Sequence, residues 1–104
     1  MKNFMKGEDM LHVKLEQIES SHNNVRTKEM EGKCTHIPEV GYGFIIFGKS
    51  LTPGLPFRRI STSEIQECSY VEKDRKFLFQ TLNSKYELTV LDDRDPKEYA
   101  RVQN

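Results

Sequence analysis

The sequence contains no tryptophan and only two cysteines in 104 residues, and its sixteen basic residues balance sixteen acidic ones. A balanced chain has no general basic surface of the kind that dominates nonspecific affinity for nucleic acids. Any anion-binding site must therefore be local. No CxxC pair with metal-ligand spacing is present either, so we expect Cys34 and Cys68 to be free, half-buried thiols rather than a disulfide or a metal pair.

Long hydrophobic runs are also missing. The longest, Phe44 to Phe47, has four residues, whereas a membrane-spanning helix needs about 18 or more. The first residues, MKNFMKGEDM, carry no apolar segment or cleavage site typical of a secretory signal. We therefore expect a single cytoplasmic domain with no membrane partner, acting in a cell or in the host of a virus.

Residues 1–24 are mostly polar and are predicted to form an N-terminal extension. Leu11, Leu15 and Ile18 recur at helical spacing in this segment. Leu11, Val13 and Leu15 also alternate, which is the pattern of a strand. We interpret the stretch from about Glu8 to Ser20 as a short helix.

Residues 25–92 contain strand-length segments separated by glycine and proline, which predicts a mainly β domain, a small antiparallel barrel or sheet of about five strands. The apolar segment YGFIIFG is the expected central strand. FLFQTL and KYELTVL, joined at Asn83 and Ser84, are expected to pair as a hairpin. The predicted core contains Phe44 or Phe47 together with Phe79, Tyr86 and Leu88.

Residues 93–104 are predicted to close the chain with a short C-terminal helix. Asp95 can cap its start, Pro96 suits the first helical position, and Glu98 stands three residues after the cap. So short a helix is marginal alone, and we expect Tyr99 and Val102 to pack on the sheet.

The segment GFIIFGKS, from Gly43 to Ser50, matches the G-x-x-x-x-G-K-S pattern of a phosphate-binding P-loop. A P-loop needs a small-residue loop followed directly by a helix. Here the four intervening residues are bulky strand formers, and a Pro/Gly-rich stretch follows. We therefore interpret the match as coincidence and expect no nucleotide hydrolysis.

Other catalytic arrangements are weak. His12, His22 and His36 lie in different segments without metal-ligand spacing. Cys34 and His36 could form a nucleophile pair in an extended segment, yet no third orienting group is apparent. The sequence predicts no enzyme, no metal and no cofactor.

Two sets of residues are candidates for binding. The loop SLTPGLPF and the residues after it form a candidate partner-binding surface of apolar and arginine side chains, namely Leu51, Leu55, Phe57, Arg58 and Arg59. Five basic residues near a loop and a hairpin tip form a candidate anion-binding set, namely Lys49, Arg58, Arg59, Arg75 and Lys76. Pairing of Arg58 or Arg59 with nearby acidic residues is the alternative for both sets.

The stretch from Glu29 to Leu91 contains R-x-I-x-T-S-x-I, starting at Arg58, and F-x-T-x-N-S-x-Y, from Phe79 to Tyr86. In these motifs it resembles a group of small bacteriophage and mobile-element proteins, over about three fifths of the chain. The resemblance implies a small barrel and a phage or mobile-element origin, without a particular activity.

These observations favour a non-catalytic binding protein that blocks a host protein, such as an anti-defence inhibitor of a CRISPR nuclease. A small barrel that binds nucleic acid or a nucleotide is the first alternative. A virion or assembly component whose sheet edges pair between copies is the second.

Overall fold

The computed structural model describes residues 10–20, 29–48 and 58–101, with main chain only at residues 19, 20 and 58. The described residues form seven strands and two short 3-10 helices. The strands are β1 (Leu11–Ser20), β2 (Glu29–Cys34), β3 (Gly43–Gly48), β4 (Arg58–Glu64), β5 (Glu67–Val71), β6 (Lys76–Gln80) and β7 (Ser84–Val90). The 3-10 helices are Glu72–Asp74 and Pro96–Tyr99.

All seven strands belong to one antiparallel sheet in the order β4-β3-β2-β1-β7-β6-β5. The edge strands β4 and β5 are consecutive in the chain and only Ile65 and Gln66 separate them. In a flat sheet these edges would lie about 29 Å apart, but the three residue steps from Glu64 to Glu67 span about 10 Å at most. The sheet therefore curls, and its seven strands form a half-barrel.

The concave face of the half-barrel carries the core. Strand side chains alternate between the two faces, and the buried positions follow this alternation on most strands. The buried apolar residues are Leu11, Val13, Leu15, Met30, Cys34, Phe44, Ile46, Ile65, Phe77, Phe79, Leu88 and Val90. The predicted core is confirmed with Phe44 as its β3 member, and Tyr86 packs against it half-buried.

The predicted N-terminal helix is wrong, because residues Leu11–Ser20 form β1, the middle strand of the sheet. β1 pairs with β2 on one side and β7 on the other, so main-chain hydrogen bonds satisfy both of its edges. The alternation of Leu11, Val13 and Leu15 was the correct pattern, and all three are buried. Ile18, the third member of the supposed helical face, is 51% exposed.

Two further predictions need correction. The sheet has seven strands rather than about five, because β1 joins it and because β4 and β5 are separate strands with Ile65 and Gln66 between them. The C-terminal helix is a single 3-10 turn, Pro96–Tyr99, although Asp95 caps it as predicted by accepting a hydrogen bond from the Lys97 N–H. Tyr99 packs against the core, while Val102 lies outside the described residues. Within the described ranges, no helix has the length and apolar character to cross a membrane.

Candidate partner-binding surface

Most of the sequence-predicted partner surface lies outside the described residues. Leu51, Leu55 and Phe57 lie outside them, as does Lys49 of the anion-binding set, and only the main chain of Arg58 is described. Arg59 is exposed on the edge strand β4, opposite Phe47 of β3. The loop surface from Leu51 to Phe57 stays a prediction.

The other two members of the candidate anion-binding set have partners within the protein. One guanidinium nitrogen of Arg75, Nη2, donates hydrogen bonds to the carbonyl oxygens of Asp92 and Arg94, each at 2.6 Å. Lys76 Nζ lies 3.0 Å from Glu87 Oε1, and this hydrogen bond and the carboxylate charge raise the lysine pKa. Both cations are therefore already engaged by groups of the same chain.

The supposed P-loop begins with a regular strand. Gly43–Gly48 forms β3, in which Phe44 and Ile46 point into the core and are buried. Ile46 pairs with Ile60 of β4, and the Phe44 N–H donates to Thr62 Oγ1 at 3.0 Å, so neither amide belongs to a loop that could wrap a phosphate. The first part of the motif therefore has the strand structure that its bulky residues predicted.

The cysteine and histidine pair does not assemble into a nucleophile. Cys34 is fully buried at the end of β2, and burial raises the pKa of its thiol to about 12. His36 is exposed, and its Nδ1 hydrogen-bonds with the Thr35 hydroxyl. The second cysteine, Cys68, also has a raised pKa, caused first by burial and then by the charge of Glu39. Neither cysteine is a ready thiolate. Both are free thiols, and Cys68 is half-buried as predicted, whereas Cys34 is fully buried rather than half-buried. Among the described residues, no group of three His, Cys, Asp or Glu could hold a metal ion.

Among the described residues, a groove lies on the outer face of the sheet. It has a volume of about 360 Å³ and crosses β5, β6, β7 and the end of β1. Two exposed apolar side chains line it: Ile18, which is 51% exposed, and Leu78, which is 37% exposed. Its other lining residues are Glu67, Cys68, Ser69, Phe79, Gln80, Lys85, Tyr86 and Glu87. We call this feature the outer groove.

Packed side chains on the core side of the same strands make the wall of the outer groove rigid. The rings of Phe79 and Tyr86 stack with their centroids 5.0 Å apart, and the centroids of the Phe79 and Phe44 rings are 5.6 Å apart. The side-chain amide of Gln17 donates to Ser84 Oγ at 3.2 Å and to Tyr86 Oη at 3.5 Å. A wall backed by packed aromatic rings needs little rearrangement to bind a partner.

Acidic side chains follow the outer face beside the groove. Glu16 on β1 lies directly opposite both Glu29 on β2 and Glu87 on β7, which places three carboxylates in one row across the sheet. Glu87 pairs with Lys76, and Glu29 lies 4.0 Å from Lys14. Like charges placed directly opposite in a sheet are unfavourable. The row therefore costs some stability, which the pairing of Glu29 with Lys14 and of Glu87 with Lys76 partly offsets.

A second cluster joins the C-terminal residues to the segment before β3. The Ile37 N–H donates to the carbonyl of Tyr99, and the Arg101 N–H donates to Glu39 Oε2 at 2.9 Å. The Arg101 guanidinium lies over the ring of Tyr42, 4.2 Å from its centroid. These contacts fasten the end of the described chain to the barrel rather than forming an open site.

Sequence reasoning missed the outer groove. Ile18 and Leu78 are visible in the sequence as apolar residues, but only the sheet register shows that they face outward. The sequence contained a partial signal at Leu78. In the alternating segment FLFQ the two phenylalanines are expected to face the core, which leaves Leu78 facing outward. Comparison with known proteins found no matching family model, no matching curated protein and no matching solved structure.

Proposed function

We propose that this chain is a non-catalytic protein-binding domain that acts through the outer groove. The observation that carries the proposal is the pair of apolar side chains, Ile18 and Leu78, exposed together in a groove. Concave surfaces with apolar side chains at the centre and polar groups at the rim are typical of binding sites.

Electrostatics favour a protein partner over a nucleic acid. At this face Glu16, Glu29 and Glu87 form a row, and Lys14 and Lys76 pair with Glu29 and Glu87, so these lysines are not free to bind a phosphate backbone. Arg75 and Lys76, two of the five basic residues of the nucleic-acid hypothesis, are held by main-chain carbonyls and by Glu87. The absence of a thiolate-forming environment at Cys34 and Cys68 supports binding rather than nucleophilic catalysis.

We propose in addition that the bound partner is a host protein whose surface is blocked, as expected of a phage or mobile-element accessory protein. An anti-defence role, such as inhibition of a CRISPR nuclease, belongs to the same proposal. Support for this part comes from the R-x-I-x-T-S-x-I and F-x-T-x-N-S-x-Y motifs, from Arg58 to Ile65 and from Phe79 to Tyr86.

The test is affinity capture from a bacterial lysate with the parent protein and two matched variants. Leu78→Ser removes an apolar side chain from the groove, whereas Leu82→Ser changes a side chain that is 78% exposed and does not line it. We expect Leu78→Ser to weaken capture by more than about 1 kcal/mol, as for an interface hot spot, and Leu82→Ser to leave capture unchanged. The proposal would be contradicted if Leu78→Ser captured the partner as well as the parent does. It would also be contradicted if capture declined steeply with added salt, as binding through phosphate contacts does.

A further inference from the structure

The two edges of the half-barrel differ in how they are protected against pairing. Edge strand β4 contains an irregularity in its ladder with β3, between the pairs Gly43–Glu64 and Ile45–Ser61, and it carries two arginines. The Thr62 hydroxyl of β4 also donates to the main-chain carbonyl of Ser63. Bulges and charged side chains are devices that natural sheets use to block an edge.

Edge strand β5 has no bulge and carries only one charged side chain, Glu67 at its first position. Its five residues pair with β6 in unbroken register, and it contains no proline, lysine or arginine. Apart from that ladder, no main-chain hydrogen bond connects Glu67–Val71 to the rest of the described chain. The outer edge of β5 therefore presents main-chain donors and acceptors that an added strand could use.

The outer groove begins at this same edge. Glu67 and Ser69 of β5 line it together with Leu78, and Ser69 lies directly opposite Leu78 in the β5–β6 ladder. The small serine side chain leaves room for a large side chain of an added strand to reach over β5 towards Leu78. Glu67 supplies negative charge beside that path, whereas Glu87, farther in, is already paired with Lys76, and Lys85 also lines the groove.

We propose that β5 binds an extended, basic peptide segment of its partner by strand addition. The segment places one large apolar side chain over Ser69 towards Leu78 and a lysine or arginine beside Glu67. Its main chain bonds to the free edge of β5 and extends the sheet. Its side chains facing the concave side meet Cys68 and Tyr70, which are half-buried against the core. This inference rests on the proposed function and names the partner's chemistry.

The test uses a defined peptide rather than a cell extract. The probe is a capped, fluorescein-labelled peptide, Lys-Thr-Phe-Thr-Lys, whose alternating pattern puts phenylalanine and both lysines on one face in either strand direction. The control peptide replaces both lysines with glutamate. Binding is followed by fluorescence anisotropy, and the bound edge is located from amide chemical shifts and amide exchange rates measured by NMR.

We expect the lysine peptide to bind and the glutamate peptide to bind at least about threefold more weakly, because of charge at the groove. The amides of Glu67–Val71 should shift, and the outward N–H groups of β5 should exchange more slowly when the peptide is bound. Glu67→Gln should weaken binding by about two- to fivefold. Glu64→Gln, the matched change on the other edge strand, should have no effect. Leu78→Ser should weaken binding by about five- to tenfold, and Leu82→Ser should not.

Several results would overturn the inference: no binding of the lysine peptide, shifts centred on Arg58–Glu64 instead of β5, or equal binding of both peptides. The proposed function can be judged separately. If Leu78→Ser abolishes lysate capture while the peptide leaves β5 unchanged, the groove binds protein but not by strand addition. If the parent captures nothing specific from lysate, the proposed function fails, and the peptide titration still decides whether β5 accepts a strand.

Discussion

Gly32 on β2 and Gly48 on β3 lie directly opposite each other, so close that neither position has room for a side chain. A Cβ added at Gly32 would lie 2.8 Å from Gly48 Cα, and one added at Gly48 would lie 3.0 Å from Gly32 Cα. Main-chain atoms of a central ladder cannot move aside as a flexible side chain can. Close packing of β2 on β3 therefore requires both glycines.

We predict that Gly32→Ala destabilises the protein by about 1 to 3 kcal/mol, the usual cost of forcing extra atoms into a packed region. Urea unfolding monitored by circular dichroism measures the change. Lys33→Ala, at the next and exposed position, is the control and should change stability by less than about 0.5 kcal/mol. Equal stability of the two variants would show that β2 and β3 are not packed this closely.

Phe79 is the aromatic residue that links two parts of the core. Its ring stacks on Tyr86 of β7 and contacts Phe44 of β3, and it is buried. We predict that Phe79→Ala costs about 3 to 5 kcal/mol, as for other buried aromatic residues, which brings a domain of this size close to unfolding. Thermal and urea unfolding measure this loss. Leu82→Ala, at an exposed position, should be nearly neutral, and a stable Phe79→Ala variant would contradict the strand facing described above.

The sequence was sufficient to predict strands where alternation is local and strong. In FLFQTL and KYELTVL the inward residues Phe77, Phe79 and Leu88 follow from period two alone. The segment around Leu11 and Leu15 was ambiguous, because both a helix and a strand place these residues on one face. Pairing with β2 and β7 decides the outcome, and those partners lie far away in sequence.

The topology and the outer groove were beyond sequence reasoning for a related reason. Nothing local indicates that β4 and β5, separated by Ile65 and Gln66, lie on opposite edges of one sheet. Likewise, Arg75 looked like a surface cation because its carbonyl partners come from a segment 17 and 19 residues later in the chain. Each case depends on contacts between distant segments, which composition and periodicity do not encode.

The carboxylate row predicts a stabilising substitution. Glu16 lies opposite both Glu29 and Glu87, so Glu16→Lys replaces two repulsive pairs by two attractive ones, while the weaker attraction between Glu16 and Lys76 becomes a repulsion. Each pair contributes about 0.2 to 1 kcal/mol, and we therefore expect higher stability in urea unfolding at low salt. The gain should shrink as added salt screens the charges. Glu98→Lys, which alters an exposed residue outside the sheet, is the control, and a gain of equal size there would contradict the argument.

His36 gives the stability a predictable pH dependence. Burial lowers its pKa from the ordinary value of 6.5, the charge of Arg101 lowers it further, and Glu39 partly opposes them. The folded protein therefore binds this proton less tightly than the unfolded chain. Above about pH 7.5 both states are neutral at this position and it contributes nothing, whereas stability is lost as the pH falls through 6.5 and below.

Replacing His36 with glutamine should remove that part of the pH dependence. Melting temperatures of the parent and of His36→Gln, measured from about pH 8 to about pH 5, should differ by a constant at the alkaline end. Towards about pH 5, the melting temperature of His36→Gln should rise relative to that of the parent. Parallel curves over the whole range would mean that the histidine titrates identically in the folded and unfolded chains.

Substitutions of Arg75 can distinguish a structural role of this side chain from a role in binding anions. Its Nη2 bridges the carbonyls of Asp92 and Arg94, and hydrogen bonds from charged groups contribute about 1.5 to 3 kcal/mol. We predict that Arg75→Ala lowers the free energy of unfolding by about that amount, and that Arg75→Lys does not restore it fully because an ammonium lacks the planar fork of a guanidinium. Arg59→Ala, at an exposed position on β4, should stay within about 0.5 kcal/mol of the parent. The nucleic-acid hypothesis predicts a different result. Arg75→Ala would then keep its stability but bind a single-stranded oligonucleotide more weakly, and Arg75→Lys would restore that binding. A phosphate contact depends on the charge of the side chain more than on the geometry of the guanidinium.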